Sequence, residues 1–243
     1  MIDLTSYSAL SFDVYGTLVD WEAGIATVLS EWAQRRGSSL DQEALLLAYA
    51  DNEAAVEREY PGLVYAEVLQ AAFRRTAKDL ALPVTDEDVQ ALGRSVPDWP
   101  AFEDTHVALT RLKKHYKLII LSNVHEQGVE GSIKRMDVVF DQVNTAERIG
   151  SYKPSPRNFE VLIEILDELG VAKRQLLHVA QSLFHDHVPG KAIGLDTVWI
   201  NRRHNRPGWG ATPDPQIGVT PDLEFTSLAA FADAADAAFA AKG

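Results

Sequence analysis

The sequence predicts an α/β fold, a parallel sheet covered by helices on both faces and interrupted early by an all-helical insert. Three observations carry this reading. Short apolar runs without polar alternation, at residues 117–121 and 176–180, have the character of strands buried on both faces. Helical patterns separate these runs, as the crossovers of a parallel sheet require. Residues 21–97 show helical periodicity and nothing that reads as a strand.

The elements follow in order. Residues 9–12, Ala-Leu-Ser-Phe, form a first strand that ends at Asp13, and Gly16 marks a turn. A polar residue at the carboxyl end of a strand is where open α/β sheets place their sites. Residues 22–36 read as a helix stopped by Gly37, and residues 41–60 as a second stopped by Pro61-Gly62. A third spans 65–80, with Val68, Leu69, Ala72 and Phe73 on one face. Thr85 is a suitable N-cap for a fourth, and Asp88 stands three residues on in a near capping box. The alternation resumes near Pro97-Asp98-Trp99-Pro100. A helix is expected over 104–115, then the strand 117–121 leading into Ser122-Asn123, and a weaker strand over 142–145. Ser155 and Pro156 are an N-cap and first-turn pair for a helix to about residue 170. Strands follow at 176–180 and 196–201, a polar loop at 202–221 and an alanine-rich helix at 227–242.

Composition excludes several classes. The 243 residues carry 23 Lys plus Arg and 35 Asp plus Glu, a formal charge of −12, with 46% hydrophobic and 24% charged residues. That balance is globular, and it argues against nucleic acid as a partner, which would need basic patches. A small anionic substrate stays allowed, because one pocket can be positive on an acidic protein. With no cysteine, thiolate metal sites, disulfides and thiol nucleophiles are excluded. The start has no basic leader, and no apolar run approaches the ~18 residues of a membrane span. The expectation is a soluble cytoplasmic protein with no membrane partner.

Four segments should meet at the strand ends: Phe-Asp-Val-Tyr-Gly-Thr-Leu from Phe12, Leu-Ser-Asn from Leu121, Tyr-Lys-Pro-Ser-Pro from Tyr152, and His-Val-Ala-Gln-Ser-Leu-Phe-His-Asp from His178. In this order they resemble the four motifs of the haloacid dehalogenase superfamily, over roughly residues 10–202. One such motif is weak evidence; four in order, each near an expected strand, are strong. The resemblance implies a Rossmann-like core, residues 1–20 and 98–243, with a helical cap inserted at 21–97.

It also implies roles. Asp13 would be the nucleophile, because a covalent ester splits one hard displacement into two easier steps. Lys153 would hold it ionised. Thr17, Ser122 and turn amides near Tyr15 would orient the Asp13 carboxylate or a substrate anion, and Asn123 would join them in binding the substrate. Trp21 is placed to line the pocket. Asp186 would pair with Lys153 or activate water, with Ser182 and His185 orienting that water. His178, in an apolar strand, reads as a satisfied core residue, and His185 and His187, two apart, do not make a metal pair.

Departures from the phosphatase pattern set the branch. Tyr15 stands where phosphatases of the superfamily carry an acid two residues after the nucleophile. A leaving alkoxide needs that proton, since it is nearly as basic as hydroxide, whose conjugate acid has a pKa of ~15.7. A halide does not. Gln181 replaces the Asp that binds magnesium, and a neutral amide is a poorer ligand for a hard cation. Together these resemble the (S)-2-haloacid dehalogenase branch. They imply metal-independent hydrolysis of short 2-haloalkanoic acids with no cofactor, in a protein for which a homodimer is compatible. The cap arginine that such enzymes use to hold halide is missing from Leu47-Ala48-Tyr49-Ala50, leaving Arg58, Asn123 or Trp21 as substitutes. Phe159 stands where the branch carries a tyrosine, and the fourth motif keeps phosphatase-like spacing. The competing readings are a phosphatase with an unusual metal site and a non-catalytic binding protein of the same fold.

Overall fold

The computed structural model describes residues 2–206, 208–209, 212–215 and 218–242. Its strands are β1 (Ala9–Phe12), β2 (Lys117–Ser122), β3 (Gln142–Thr145), β4 (Leu176–Ala180), β5 (Asp196–Ile200) and β6 (Leu223–Phe225). They form one parallel sheet in the order β3-β2-β1-β4-β5-β6. Central β1 pairs with both β2 and β4, and Phe12 lies opposite Ile120 and Val179. The chain order reverses across this centre, so the carboxyl ends of β1, β2 and β4 open onto one crevice. Side chains alternate along β1. Leu10 and Phe12 join the larger core on one face, and Ala9 joins Phe159 and Leu162 on the other.

The segment after β1 holds α1 (Trp21–Arg35), α2 (Gln42–Glu59), α3 (Tyr65–Asp79) and α4 (Asp86–Arg94). Caps set their starts. The Asp20 carboxylate accepts from the Ala23 amide at 3.0 Å, and that of Asp41 from the Ala44 amide at 2.8 Å. Thr85 and Asp88 form the expected reciprocal box, at 3.0 and 3.2 Å. Asp88 also pairs with Arg35 and Arg36 at 2.9 and 2.8 Å, which ties α4 to the end of α1. Gly24 on α1 is obligatory for a different reason: a Cβ there would lie 2.3 Å from the Trp99 ring. Chain entry and exit run side by side. The Asp20 amide donates to Pro100 O at 2.8 Å and the Phe102 amide to Leu18 O at 3.1 Å.

The remaining helices are α5 (Thr105–Leu112), α6 (Glu126–Met136), α7 (Ala146–Ile149), α8 (Pro156–Glu168), α9 (Val188–Ala192) and α10 (Leu228–Ala240). Sequence patterning missed α6, β6 and the π-turn Leu183–His187 that leads into α9. The helix expected over 104–115 ends at Leu112, three residues early. Ser155 precedes α8 but makes no side-chain capping bond; Pro156 alone marks the start. Ser227 does cap α10, accepting from the Ala230 amide at 3.1 Å. The described residues of 202–221 form neither helix nor strand, and 207, 210, 211, 216 and 217 of that expected loop lie outside the described residues. Among the described residues no helix is long and apolar enough to cross a membrane.

Candidate active site

Asp13 is the first residue after β1, and its amide still donates to Val179 O at 3.1 Å. That bond fixes the backbone from which the carboxylate projects. Beyond it the chain turns sharply, with Gly16 at φ +95°, a conformation other residues adopt only under strain. The turn brings Thr17 back, and its hydroxyl donates to Asp13 Oδ2 at 2.8 Å. Thr17 Oγ1 in turn accepts from the Gln181 amide at 2.9 Å, so the turns after β1 and β4 are joined through the partner of Asp13.

The second Asp13 oxygen faces Lys153. Lys153 Nζ lies 2.9 Å from Asp13 Oδ1, 2.6 Å from Asp186 Oδ1 and 3.0 Å from Leu121 O. The ammonium is thus fully coordinated although only 2% of the residue is exposed. Asn123 places it: its Oδ1 accepts from the Lys153 amide at 2.7 Å and its Nδ2 donates to Lys153 O at 3.0 Å. On the far side, Asp186 Oδ1 meets His178 Nε2 at 3.1 Å, and His178 Nδ1 meets Ser11 Oγ at 2.8 Å. His178 is the satisfied core residue that its strand suggests, and it is also the outer support of Asp186. The signal for this was available: Ser11 and His178 are same-face register partners on neighbouring strands that both end in the site.

Electrostatics divide these groups. Burial pushes the Asp13 carboxyl up, only partly offset by Lys153. Burial would push Asp186 up as well, but Lys153 and His178 outweigh it and hold that carboxyl well below the usual range. Burial lowers the Lys153 ammonium, while Asp13 and Asp186 more than restore it. The result is one protonated lysine bridging a strongly ionised Asp186 and a more basic Asp13, which suits a nucleophile.

These groups floor a cavity of about 60 Å3. Tyr15, Trp21, Ser122, Ser182 and His185 line it too. Tyr15 turns its hydroxyl to Ser132 Oγ at 3.0 Å and packs edge-on against Trp99, with centroids 5.5 Å apart, so it offers the cavity a ring face. The Ser122 hydroxyl is buried and unpartnered, as is Asp186 Oδ2. Ser182 caps the π-turn, accepting from the His185 amide at 2.9 Å and facing His185 Nδ1 at 3.1 Å. Burial pushes His185 down to about 4, so its imidazole is neutral at pH 7.

Thr17 is not among the residues lining the cavity; its hydroxyl orients the Asp13 carboxylate, the first of the two roles expected for it. Other expected residues lie differently. The Gly16 and Thr17 amides close the turn itself, onto Val19 O and Val14 O, and so do not receive a substrate anion. Asn123 lines the cavity, but its amide clasps the Lys153 main chain. Arg58 is exposed and lines an adjoining cavity of about 300 Å3, not the inner one. Phe159 packs edge-on against His178 at 5.6 Å, outside the cavity.

The cap-side wall was not foreseen. α2 contributes Ala50, Glu53, Ala54 and Glu57, and α3 contributes Tyr65. Glu53 Oε1 accepts from Tyr65 OH at 2.8 Å and Tyr49 OH at 3.4 Å. Burial raises the Glu53 carboxyl to about 7 despite both phenols. Glu57 is raised well above the ordinary value, by burial first and then by Glu53, with Lys153 and Arg58 pulling it down. Glu53 follows Tyr49 by four and precedes Val56 by three, within the buried stripe of α2. That phase was the signal that could have found it.

A family model of haloacid dehalogenase-like hydrolases matches residues 7–180. The (S)-2-haloacid dehalogenase 4A of Burkholderia cepacia is 27% identical over 227 residues, covering 88% of this chain and 90% of the relative. An (S)-2-haloacid dehalogenase of Pseudomonas fluorescens is 27% identical over 198 residues, covering 79% and 84%. The fold is similar to a crystal structure of an L-2-haloacid dehalogenase at a TM-score of 0.79 and 23% identity, with 95% of this chain and 99% of that one covered. It also resembles the L-2-haloacid dehalogenase of Xanthobacter autotrophicus with chloropropionic acid covalently bound, at a TM-score of 0.74 and 17% identity, covering 93% and 97%.

Proposed function

We propose, for a chain that belongs to the haloacid dehalogenase-like hydrolase family, that it hydrolyses the carbon–halogen bond of short 2-haloalkanoic acids through an ester on Asp13. The reading takes residues 21–97 as a cap domain over a core of residues 1–20 and 98–243. One observation carries it: the Asp13 carboxylate, gripped by Lys153 and Thr17, opens onto a small cavity in which an aromatic ring, Tyr15, replaces a proton donor beside the nucleophile. The names of the two relatives support the choice of bond.

An Asp13 oxygen attacks the halogen-bearing carbon from behind. The new C–O bond forms as the C–X bond breaks, and the electron pair leaves with halide, which needs no proton. Lys153 keeps Asp13 ionised and aimed. The Ser122 hydroxyl, otherwise unpartnered, donates to the substrate. Water then adds to Asp13 Cγ, and the ester C–O bond at that carbon breaks. The departing alkoxide takes a water proton and leaves as the 2-hydroxy acid. The free Asp186 Oδ2 accepts from this water, and neutral His185 stands by as the better base, since Asp186 is held too acidic for that task.

The donor set suits a resident magnesium ion poorly. The space between Asp13 and Asp186 is bridged by the Lys153 ammonium, and Gln181 Oε1 accepts from Thr212 Oγ1 at 3.2 Å. Hydrolysis without a metal is therefore part of the proposal. Single turnover in H2 18O is expected to place label on Asp13, with halide release unaffected by EDTA. Unlabelled Asp13, or release that needs added magnesium, overturns it.

A further inference from the structure

Glu53 and Glu57 have no part in the displacement, yet they face it. Of the described residues around the inner cavity, Asp13, Asp186, Glu53 and Glu57 are carboxyls, and Lys153 is the one Lys or Arg. Lys153 is spent on Asp13 and Asp186. Lys153 and, from the adjoining cavity, Arg58 act on Glu57 only through space, and among the described residues no Lys or Arg forms an ion pair with either wall carboxyl. Glu53 is 7% exposed and held by two phenols. Glu57, one helical turn on, has no hydrogen-bond partner and lines both the inner cavity and the adjoining one of about 300 Å3. A second observation shows that a ligand belongs here. Ser122, 2% exposed, directs an unpartnered hydroxyl into the same cavity from the opposite, core side.

We infer that Glu53 and Glu57 form an ammonium-binding wall, and that the substrate is a short haloacid carrying a protonated amine rather than a simple anionic one. The inference rests on the haloacid reading and narrows it. A zwitterion satisfies both ends: its carboxylate meets the core side at Ser122, and its ammonium meets Glu57. A plain haloacid anion meets the uncompensated carboxyls instead, and electrostatic complementarity governs such choices. The two wall carboxyls also repel each other, which burial strengthens and which an arriving cation relieves.

The test pairs 2-chloropropionate with 3-amino-2-chloropropionate, which differ by one ammonium. Halide release is followed in wild type, Glu57→Gln and Glu53→Gln. Calorimetric binding of propionate and 3-aminopropionate to the same proteins gives a readout that needs no chemistry. The expected result is a preference of about tenfold or more for the aminated member in both assays, falling at least about tenfold in Glu57→Gln. Glu53→Gln repeats the experiment should Glu57→Gln not fold. Equal or stronger handling of the plain member by wild type, with the ratio unchanged in the variants, overturns the inference. Absence of halide release from either compound, with amine-selective binding intact, sinks the haloacid reading and leaves the ammonium wall standing.

Discussion

The floor of the cavity presents two buried carboxyls, Asp13 and Asp186, and the cap-side wall one buried and one half-buried, Glu53 and Glu57, and the chain treats the two pairs differently. On the floor, Asp13 and Asp186 share Lys153, with Thr17 as a further partner of Asp13 and His178 of Asp186, while Asp186 Oδ2 stays unpartnered. On the wall, Glu53 has only phenols and Glu57 has no bonding partner. Burial alone therefore does not decide the charge of a carboxyl: Asp186, held by Lys153 and His178, is lowered, while Asp13 beside the same lysine stays raised. In the proposed reaction the floor charges act at the bond that breaks, and the wall carboxyls face what enters the cavity.

The hardest blow to this contrast is Lys153→Met. It leaves two buried carboxylates without their cation, so a loss of about 3–5 kcal/mol is expected in urea denaturation, with halide release falling below detection. Asp13→Asn should abolish turnover by about 10^4-fold or more while keeping most of the stability. If both variants were equally stable, the floor would not be the tightly paired unit described.

Gly24→Ala tests what joins the two regions. Trp99 packs against Tyr15 of the floor and Tyr65 of the wall, and the added methyl would push into its ring. A cost of about 1–3 kcal/mol is expected by thermal or chemical unfolding. An unperturbed variant would mean that Trp99 is loosely held.

Smaller in effect is pH. Glu53 titrates near 7 in the folded chain, against 4.5 unperturbed. It is neutral below that pH and adds a negative charge to the wall above it, beside Glu57, Tyr49 and Tyr65. The ratio kcat/KM for 2-chloropropionate should therefore fall by roughly three- to tenfold as pH rises through 7. Glu53→Gln should flatten that limb. The same raised carboxyl makes folding bind a proton, so Glu53 weakens the fold progressively from about pH 4.5 to 7, and the Gln variant should lose less stability over that window.

Asp88→Asn is the mildest. Its carboxyl is lowered to about 2; burial opposes this, but the Thr85 bonds, Arg35 and Arg36 prevail. Its contribution, about 1 kcal/mol, is present above pH ~3.8 and disappears as pH falls through about 2. Urea midpoints for variant and wild type should converge there.

Sequence made the floor legible and the wall illegible, for a physical reason. Asp13, Ser122, Lys153 and Asp186 fall in ordered motifs beside apolar strands, and each motif carries residue types that its chemistry demands. Helix starts were legible where a bonded cap precedes a long helix, as at Asp41 and Thr85, and not where it opens a single turn, as at Thr145 and Ser182. Helix α6 was not, because Gly128 and Gly131 suppress its helical signature. Glu53 shares the phase of the apolar stripe of α2, a faint signal, but Glu57, four residues on, looks like an ordinary solvated face. Only the tertiary placement of α2 over the sheet turns that face inward. Arg58, next in sequence, shows how fine the distinction is: one residue on, the side chain leaves the inner cavity.

The laced neck at Asp20–Pro100 and Leu18–Phe102 has an evolutionary and engineering consequence. To the sheet, residues 21–97 occupy the place of a turn, since they start and finish at adjacent points. Lengthening or shortening such an excursion changes loop-closure entropy slowly, by about 0.6 kcal/mol per doubling. A different four-helix unit grafted at those two points would leave Asp13, Lys153 and Asp186 where they stand. On the proposed reading, the reacting groups and the wall that faces the substrate meet at a single seam where one could be exchanged without the other.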